Sequence, residues 1–164
     1  MAESVRPPAA SAIAAWYAGA DLLDSYAVTL PVGAPLDPAT LASRMLSDPP
    51  AWVRVLMGLR DRAVAPLGVK TSDAVRRASA ADGRARISFF PVLRQSPTEV
   101  VIGFDDLHLD FRTSVLLEPA ADAGRTRLVA TTAVRCHNRL GRIYLSVIRP
   151  FHVLIVRSSL DRLK

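Results

Sequence analysis

Between residues 84 and 137, four runs with strand character follow one another across short gaps, and this spacing constrains the fold more than any other feature of the chain. The runs are Arg84–Leu93, Glu99–Asp105, Leu107–Leu117 and Thr126–His137, with turn chemistry at Ser96-Pro97 and at Asp122-Ala123-Gly124. Parallel neighbours need a crossover of about a dozen residues or more, so these gaps predict an antiparallel meander.

Helical patterns flank the meander. After its last strand, Arg139–Leu163 reads as one long helix, and Pro150 inside it predicts a kink or split because proline cannot donate a backbone hydrogen bond. Before the meander, Tyr26, Val28, Leu30 and Val32 alternate with smaller or polar neighbours, which predicts a strand over residues 25–32. Gly33–Pro38 is a turn, with Asp37 capping a short helix Ala39–Leu46 and Pro38 at its first position. Asp48-Pro49-Pro50 starts a second helix, with Trp52, Val55, Leu56 and Leu59 on its apolar face and Pro66 and Gly68 at its end. Residues 70–83 read as a loop or frayed helix, and a short helix is expected within Ala12–Leu23. The order predicts an α+β fold, a single domain over 21–164 behind a loose N-terminal segment 1–20.

Composition narrows the class. With 164 residues, half of them apolar and 22% charged, the chain is long enough to bury a core without staples. Cys136 is the only cysteine, which excludes an intrachain disulfide and a Cys-rich zinc site. No uninterrupted run reaches the roughly 18 apolar residues of a spanning helix; the nearest, Ile143–Val156, contains Arg149, Pro150 and His152. The N-terminus lacks the basic start and continuous apolar stretch of a secretory signal, so a cytoplasmic protein with no membrane partner is expected. The net charge is +6, yet the arginines are spread along the chain, apart from residues 135–164 with seven bases against Asp161. Without a Gly-rich phosphate loop, an aromatic-interleaved basic strand or a helix-turn-helix pattern, this charge predicts solvated faces and ion pairs and no nucleic-acid partner.

Several stretches carry a resemblance: Asp48-Pro-Pro-Ala-Trp-Val, Leu59-Arg-Asp, Phe90-Pro-Val, the run Glu99–Arg112, Arg135-Cys-His-Asn-Arg-Leu-Gly-Arg-Ile-Tyr-Leu and Ile148-Arg-Pro-Phe-His. They resemble the bacterial family known as domain of unknown function 2867, from about residue 21 to the end. The element order is similar to the helix-grip architecture of the Bet v 1, START and polyketide-cyclase proteins, in which a curved sheet wraps a long C-terminal helix. The resemblance implies a curved antiparallel sheet packed against that helix, with two short helices after the first strand and a ligand cavity between sheet and helix. It names no substrate. Some family members look like an extra domain behind a nucleotide-sugar-epimerase-like dehydrogenase domain; this chain has no Gly-x-Gly-x-x-Gly motif, and no cofactor is expected.

The densest polar grouping is Asp105–Arg112. On a strand, His108, Asp110 and Arg112 share one face and Leu109, Phe111 and Val115 the other. One reading makes this a catalytic or ligand-gripping row, with His108 as acid or base, Asp110 orienting it and Arg112 holding an anionic group. The other makes it structural, with Asp110 opposite an arginine of the last strand, where Arg127, Thr131 and Arg135 share a face. A metal would need His137 or Asp106 beside His108 and Asp110, and nothing fixes that third ligand, so no metal is expected.

Cys136-His137-Asn138 has the residue types of a thiol hydrolase, but neighbouring strand residues point to opposite faces; Cys136 reads as a small buried hydrophobe. Arg139, Gly141, Arg142 and Tyr144 at the last helix's start suit an anion, or simply a helix capped by Asn138 with Gly141 allowing close packing. A kink at Pro150 would turn Phe151 or His152 toward a ligand, with Trp52 and other aromatics as walls.

These residues predict a binding protein for a small apolar or amphipathic molecule, with Arg112, Arg135, Tyr144, Phe151, His152 and Trp52 as ligand contacts. The alternatives are an enzyme of cyclase, dehydratase or hydrolase type using His108 and Asp110, and a homodimeric interaction module built on the arginine-rich final helix. Which face of the Leu107–Leu117 strand points inward decides where the polar row lies.

Overall fold

The computed structural model describes residues 1–47, 49–64, 77, 83, 85–120 and 124–164. The expected helix start at Asp48, the helix end at Pro66–Gly68, most of 70–83 and the turn residues Asp122 and Ala123 lie outside these residues. Among the described residues seven strands form one antiparallel sheet: β1 Glu3–Ser4, β2 Leu22–Thr29, β3 Arg86–Ile87, β4 Phe90–Gln95, β5 Glu99–Asp105, β6 Leu109–Pro119 and β7 Thr126–Cys136. Their spatial order is β1-β2-β7-β6-β5-β4-β3, so β4 to β7 are the predicted meander and the N-terminal strands extend it past β7. Helices α1 Pro38–Leu46 and α2 Ala51–Val64 follow β2, and α3 Arg139–Asp161 closes the chain. The fold is α+β and helix-grip-like: a curved antiparallel sheet, a long C-terminal helix and two short helices after the first predicted strand.

Local chemistry accounts for the boundaries. Asp37 accepts the Thr40 amide at 2.7 Å, with Pro38 at the first helical position, as the sequence predicts for α1. Asn138 caps α3 by accepting the Gly141 amide at 3.0 Å. The helix runs on through Pro150, which is exposed, and the proline does not split it. The predicted strand Arg84–Leu93 is instead two strands, because Ser88 turns the chain with a φ of 57°. The first long strand starts three residues earlier than its alternation suggests and leaves Val32 96% exposed.

Register defines two faces. On the helix-facing side, Leu22–Val134–Phe111–Phe104, Asp24–Thr132–Thr113–Ile102 and Tyr26–Ala130–Val115–Val100 run as successive rows across β2, β7, β6 and β5. Helix α3 packs over β2 and β7, while α1 packs over β3, β5 and β6. The main core joins Tyr26, Val28, Leu128 and Val115 to Leu41 and Met45 of α1 and to Val156 and Leu160 of α3. Each such buried apolar side chain contributes about 1.5–3 kcal/mol relative to exposure.

The opposite face is covered by the N-terminal segment, which corrects the expectation of a loose residue 1–20 tail. Ile13, Trp16 and Tyr17 pack on Val101, Ala133 and Leu23. β1 pairs with β2 through Glu3↔Ala27 and Ser4↔Tyr26, and Ala2 is buried with its amide donated to Asp161. Within the expected helix of residues 12–23 there is only a 3-10 turn, Ala14–Trp16, and Leu22 already belongs to β2. Two prolines made this segment look unstructured, but its side chains supply the only cover that the outer face has among the described residues.

Candidate functional site

The polar row of β6 faces away from the helices. Leu109 and Phe111 point to the helix side, so Asp110 and Arg112 lie on the face that carries the N-terminal segment. His108 precedes the strand, in the turn between β5 and β6, and shares no strand face with them. Its Nδ1 lies 3.0 Å from the Asn138 amide nitrogen, and its carbonyl accepts the His137 amide. Asp110 meets His137 instead, Oδ2 to Nε2 at 3.0 Å. His108 and Asp110 thus sit in different hydrogen-bonded pairs.

Arg112 and Arg135 act as clamps on the N-terminal segment. Their guanidinium carbons lie 4.3 and 4.7 Å from the centre of the Trp16 ring. Arg112 donates to Asp105 at 2.6 Å, and Arg135 donates to the carbonyls of Ala15 and Ala18 at 3.1 and 3.0 Å. Asp110 is directly opposite Arg135 in the register, as the structural reading anticipates, yet Arg135 turns to Trp16 and Asp110 to His137. Gly103, next to Arg112, must be glycine: a Cβ there would lie 2.5 Å from the Phe111 carbonyl oxygen and 2.8 Å from the Arg112 side chain.

A buried carboxylate completes this attachment. Glu99 accepts the Ser11 hydroxyl at 2.6 Å, the Ser114 hydroxyl at 2.5 Å and the Ala12 amide at 2.9 Å. Three donors around one carboxylate satisfy the charge that burial would otherwise penalise.

The helix-facing side holds a different arrangement. Asp24 sits among Leu22, Tyr26 and Val28 on β2, and His152 reaches it from α3, Nε2 to Oδ1 at 3.2 Å. Both side chains are mostly buried, at 14% and 21% exposure. Asp24 Oδ2 is fully buried and has no hydrogen-bond partner among the described residues. The row continues through Thr132, next to Asp24 in the register, to Thr113, the two hydroxyls being 3.3 Å apart. This strip divides the main core from a second apolar cluster of Leu22, Val134 and Leu145, on which Phe111 and Ile148 pack. The Tyr26 phenol is pushed up, first by burial and then by the Asp24 charge.

The strip leads from beneath α3 toward β6, where Thr113 and Phe111 are only partly buried. Phe111 meets Phe90 edge to face with ring centres 5.2 Å apart, and Phe90 stacks at a tilt on Phe89 at 4.1 Å. Of the sequence-predicted contacts, only His152 belongs to this strip. Tyr144 accepts the Arg60 Nε at 2.7 Å and ties α2 to α3, while Phe151 and Trp52 are exposed on those two helices. Asp24, Thr132 and Thr113 went unnoticed in the sequence; a lone aspartate in the apolar run Leu22–Leu30 was the available signal. An open groove of about 400 Å³ between α1 and β3–β4, lined by residues such as Thr40, Arg44, Arg86 and Gln95, contains none of the predicted site residues. Among the described residues, no three His, Cys, Asp or Glu side chains come together as a metal would need.

A family model described as protein of unknown function, DUF2867, matches residues 16–159. The chain belongs to the DUF2867 family. The match starts at Trp16, so within this DUF2867 chain it takes in both the clamped aromatic ring and the Asp24–His152 strip. No curated protein and no solved structure matches the chain.

Proposed function

We propose that this DUF2867 chain binds a small apolar or amphipathic molecule on the helix-facing side of its sheet. The ligand's hydrogen-bond-donating group, a hydroxyl or an amine, pairs with Asp24. The observation that carries this is the buried Oδ2 of Asp24, unpartnered among the described residues, between two apolar clusters. A buried acceptor without a partner costs about 1–3 kcal/mol, which a donor on the ligand regains. Ligand sites are typically apolar walls with a few placed polar groups, and here Phe111, Phe90 and Leu109 supply walls while Asp24, His152, Thr132 and Thr113 supply the polar line. A cytoplasmic location goes with this reading.

The test is a fragment titration followed by amide NMR. Apolar alcohols and amines are expected to shift the amide signals of Asp24, Thr113 and Thr132, and matched ethers and ketones, which cannot donate, to shift them far less. Equal responses, or shifts confined to the α1 groove, would contradict the proposal.

A specific observation also favours an enzymatic variant of the same site. His152 with Asp24 is a carboxylate–imidazole pair of the kind that moves protons. On the enzyme reading, the acid–base role passes to His152 and Asp24 in place of His108 and Asp110.

A further inference from the structure

Helix α3 buries Gly141, Leu145, Val156, Ser159 and Leu160, and leaves Ile143, Val147, Phe151 and Leu154 exposed. At 100° per residue these four fall on one stripe pointing away from the sheet. Trp52 and Leu59 on α2 add further exposed apolar surface, and the Arg60–Tyr144 hydrogen bond joins the two helices. Isolated exposed apolar side chains are ordinary, but a contiguous patch of this kind marks an interaction surface.

Charge indicates the partner. Arg139, Arg142, Arg149 and Arg157 are all exposed on α3, and no acidic residue precedes Asp161 in the helix. By helical geometry Arg139 and Arg157 flank one side of the apolar stripe, while Arg142 and Arg149 lie toward the sheet side of the helix. A second copy docking on the same face about a two-fold axis would set the flanking arginines against themselves. An anionic lipid surface takes both components at once, the apolar side chains entering the acyl boundary while the arginines reach the headgroups. The 23 residues of α3 reach a mean hydropathy of 1.3 over their most apolar 18, and only 22% of that window is buried.

We infer that the α2–α3 face is a peripheral docking surface for anionic membranes, with α3 lying in the plane of the interface. This revises the expectation of no membrane partner, which rested on interruptions by Arg149, Pro150 and His152; those residues oppose spanning, not interfacial docking. The inference is independent of the Asp24 site.

Flotation of the full chain with phosphatidylcholine vesicles, with and without phosphatidylserine, tests it. Binding is expected to need phosphatidylserine and to weaken with salt. Arg139→Gln and Arg157→Gln should each lower partitioning about fivefold, the equivalent of about 1 kcal/mol per surface arginine. Val147→Glu/Leu154→Glu should abolish it while leaving the circular dichroism spectrum and thermal midpoint unchanged, since both side chains are exposed. Failure of the folded wild-type protein to float with either vesicle would overturn the inference. So would a concentration-dependent dimer that the glutamate variant dissolves, because a second copy would then own the face.

Discussion

Asp24 and His152, 128 positions apart in the chain, meet at 3.2 Å beneath the C-terminal helix, and the second carboxylate oxygen of Asp24 is left buried without a donor among the described residues. The pair is a polar link between β2 and α3 in a largely apolar contact. Replacing only His152 with alanine strips Asp24 of its remaining partner and is expected to cost about 1–3 kcal/mol. Asp24→Leu/His152→Leu removes both polar groups together and should be neutral or stabilising by up to about 4 kcal/mol. Urea unfolding of the two variants checks this; equal losses in both would mean that the pair stabilises the fold more than packing can.

Glu99 holds the N-terminal segment on the outer face through Ser11, Ala12 and Ser114. Glu99→Ala leaves buried hydroxyls facing a void, and a loss of about 2–4 kcal/mol is expected from the charge-assisted hydrogen bonds. Amide exchange should rise most in residues 11–20. Exchange spread evenly through the sheet would show that Glu99 serves the whole fold and not this attachment.

Gly103 and Gly141 are places where backbone approaches backbone. A Cβ at Gly103 meets the Phe111 carbonyl oxygen, and a Cβ at Gly141 meets the carbonyl of His108. Alanine at either position is expected to cost about 1–3 kcal/mol by overpacking. Gly58, with open space around it, is the control; Gly58→Ala in α2 should be neutral or slightly stabilising. Thermal unfolding distinguishes them.

Burial pushes the Cys136 thiol above its ordinary range, and the Asp21 charge pushes it the same way. The thiolate is the reactive form, so less of it is present at pH 8 than in a free thiol. Alkylation of Cys136 by iodoacetamide should therefore be slower than that of glutathione at pH 8 and should climb as pH rises through the raised pKa. A rate equal to or above glutathione's would return Cys136 to the list of reactive nucleophiles.

Much of the architecture was legible because it depends on local signals. β5 matches its predicted span, and α1 starts at the cap and proline that announce it. The break between β3 and β4 was hidden because the left-handed residue there is Ser88, where glycine would have signalled a turn. The start of β2 was hidden because Asp24 is a poor strand residue by propensity and belongs there only through its contact with α3. The same local reasoning grouped His108 with Asp110 and Arg112, and a strand that begins at Leu109 separates them. Asp110 and Arg112 then serve His137 and Trp16, partners set by the turn into α3 and by the N-terminal segment. Contacts between residues so far apart leave no periodicity to read.

Native mass spectrometry of gently purified protein reads out whether Asp24 receives a ligand's donor beneath α3. A stoichiometric added mass in the wild type, recovered by organic extraction as a hydroxylated or amine-bearing apolar compound and lost in Asp24→Leu/His152→Leu, is the predicted result. The same adduct retained in the double variant, or a compound with no donating group, would contradict the assignment of Asp24 as the ligand's anchor.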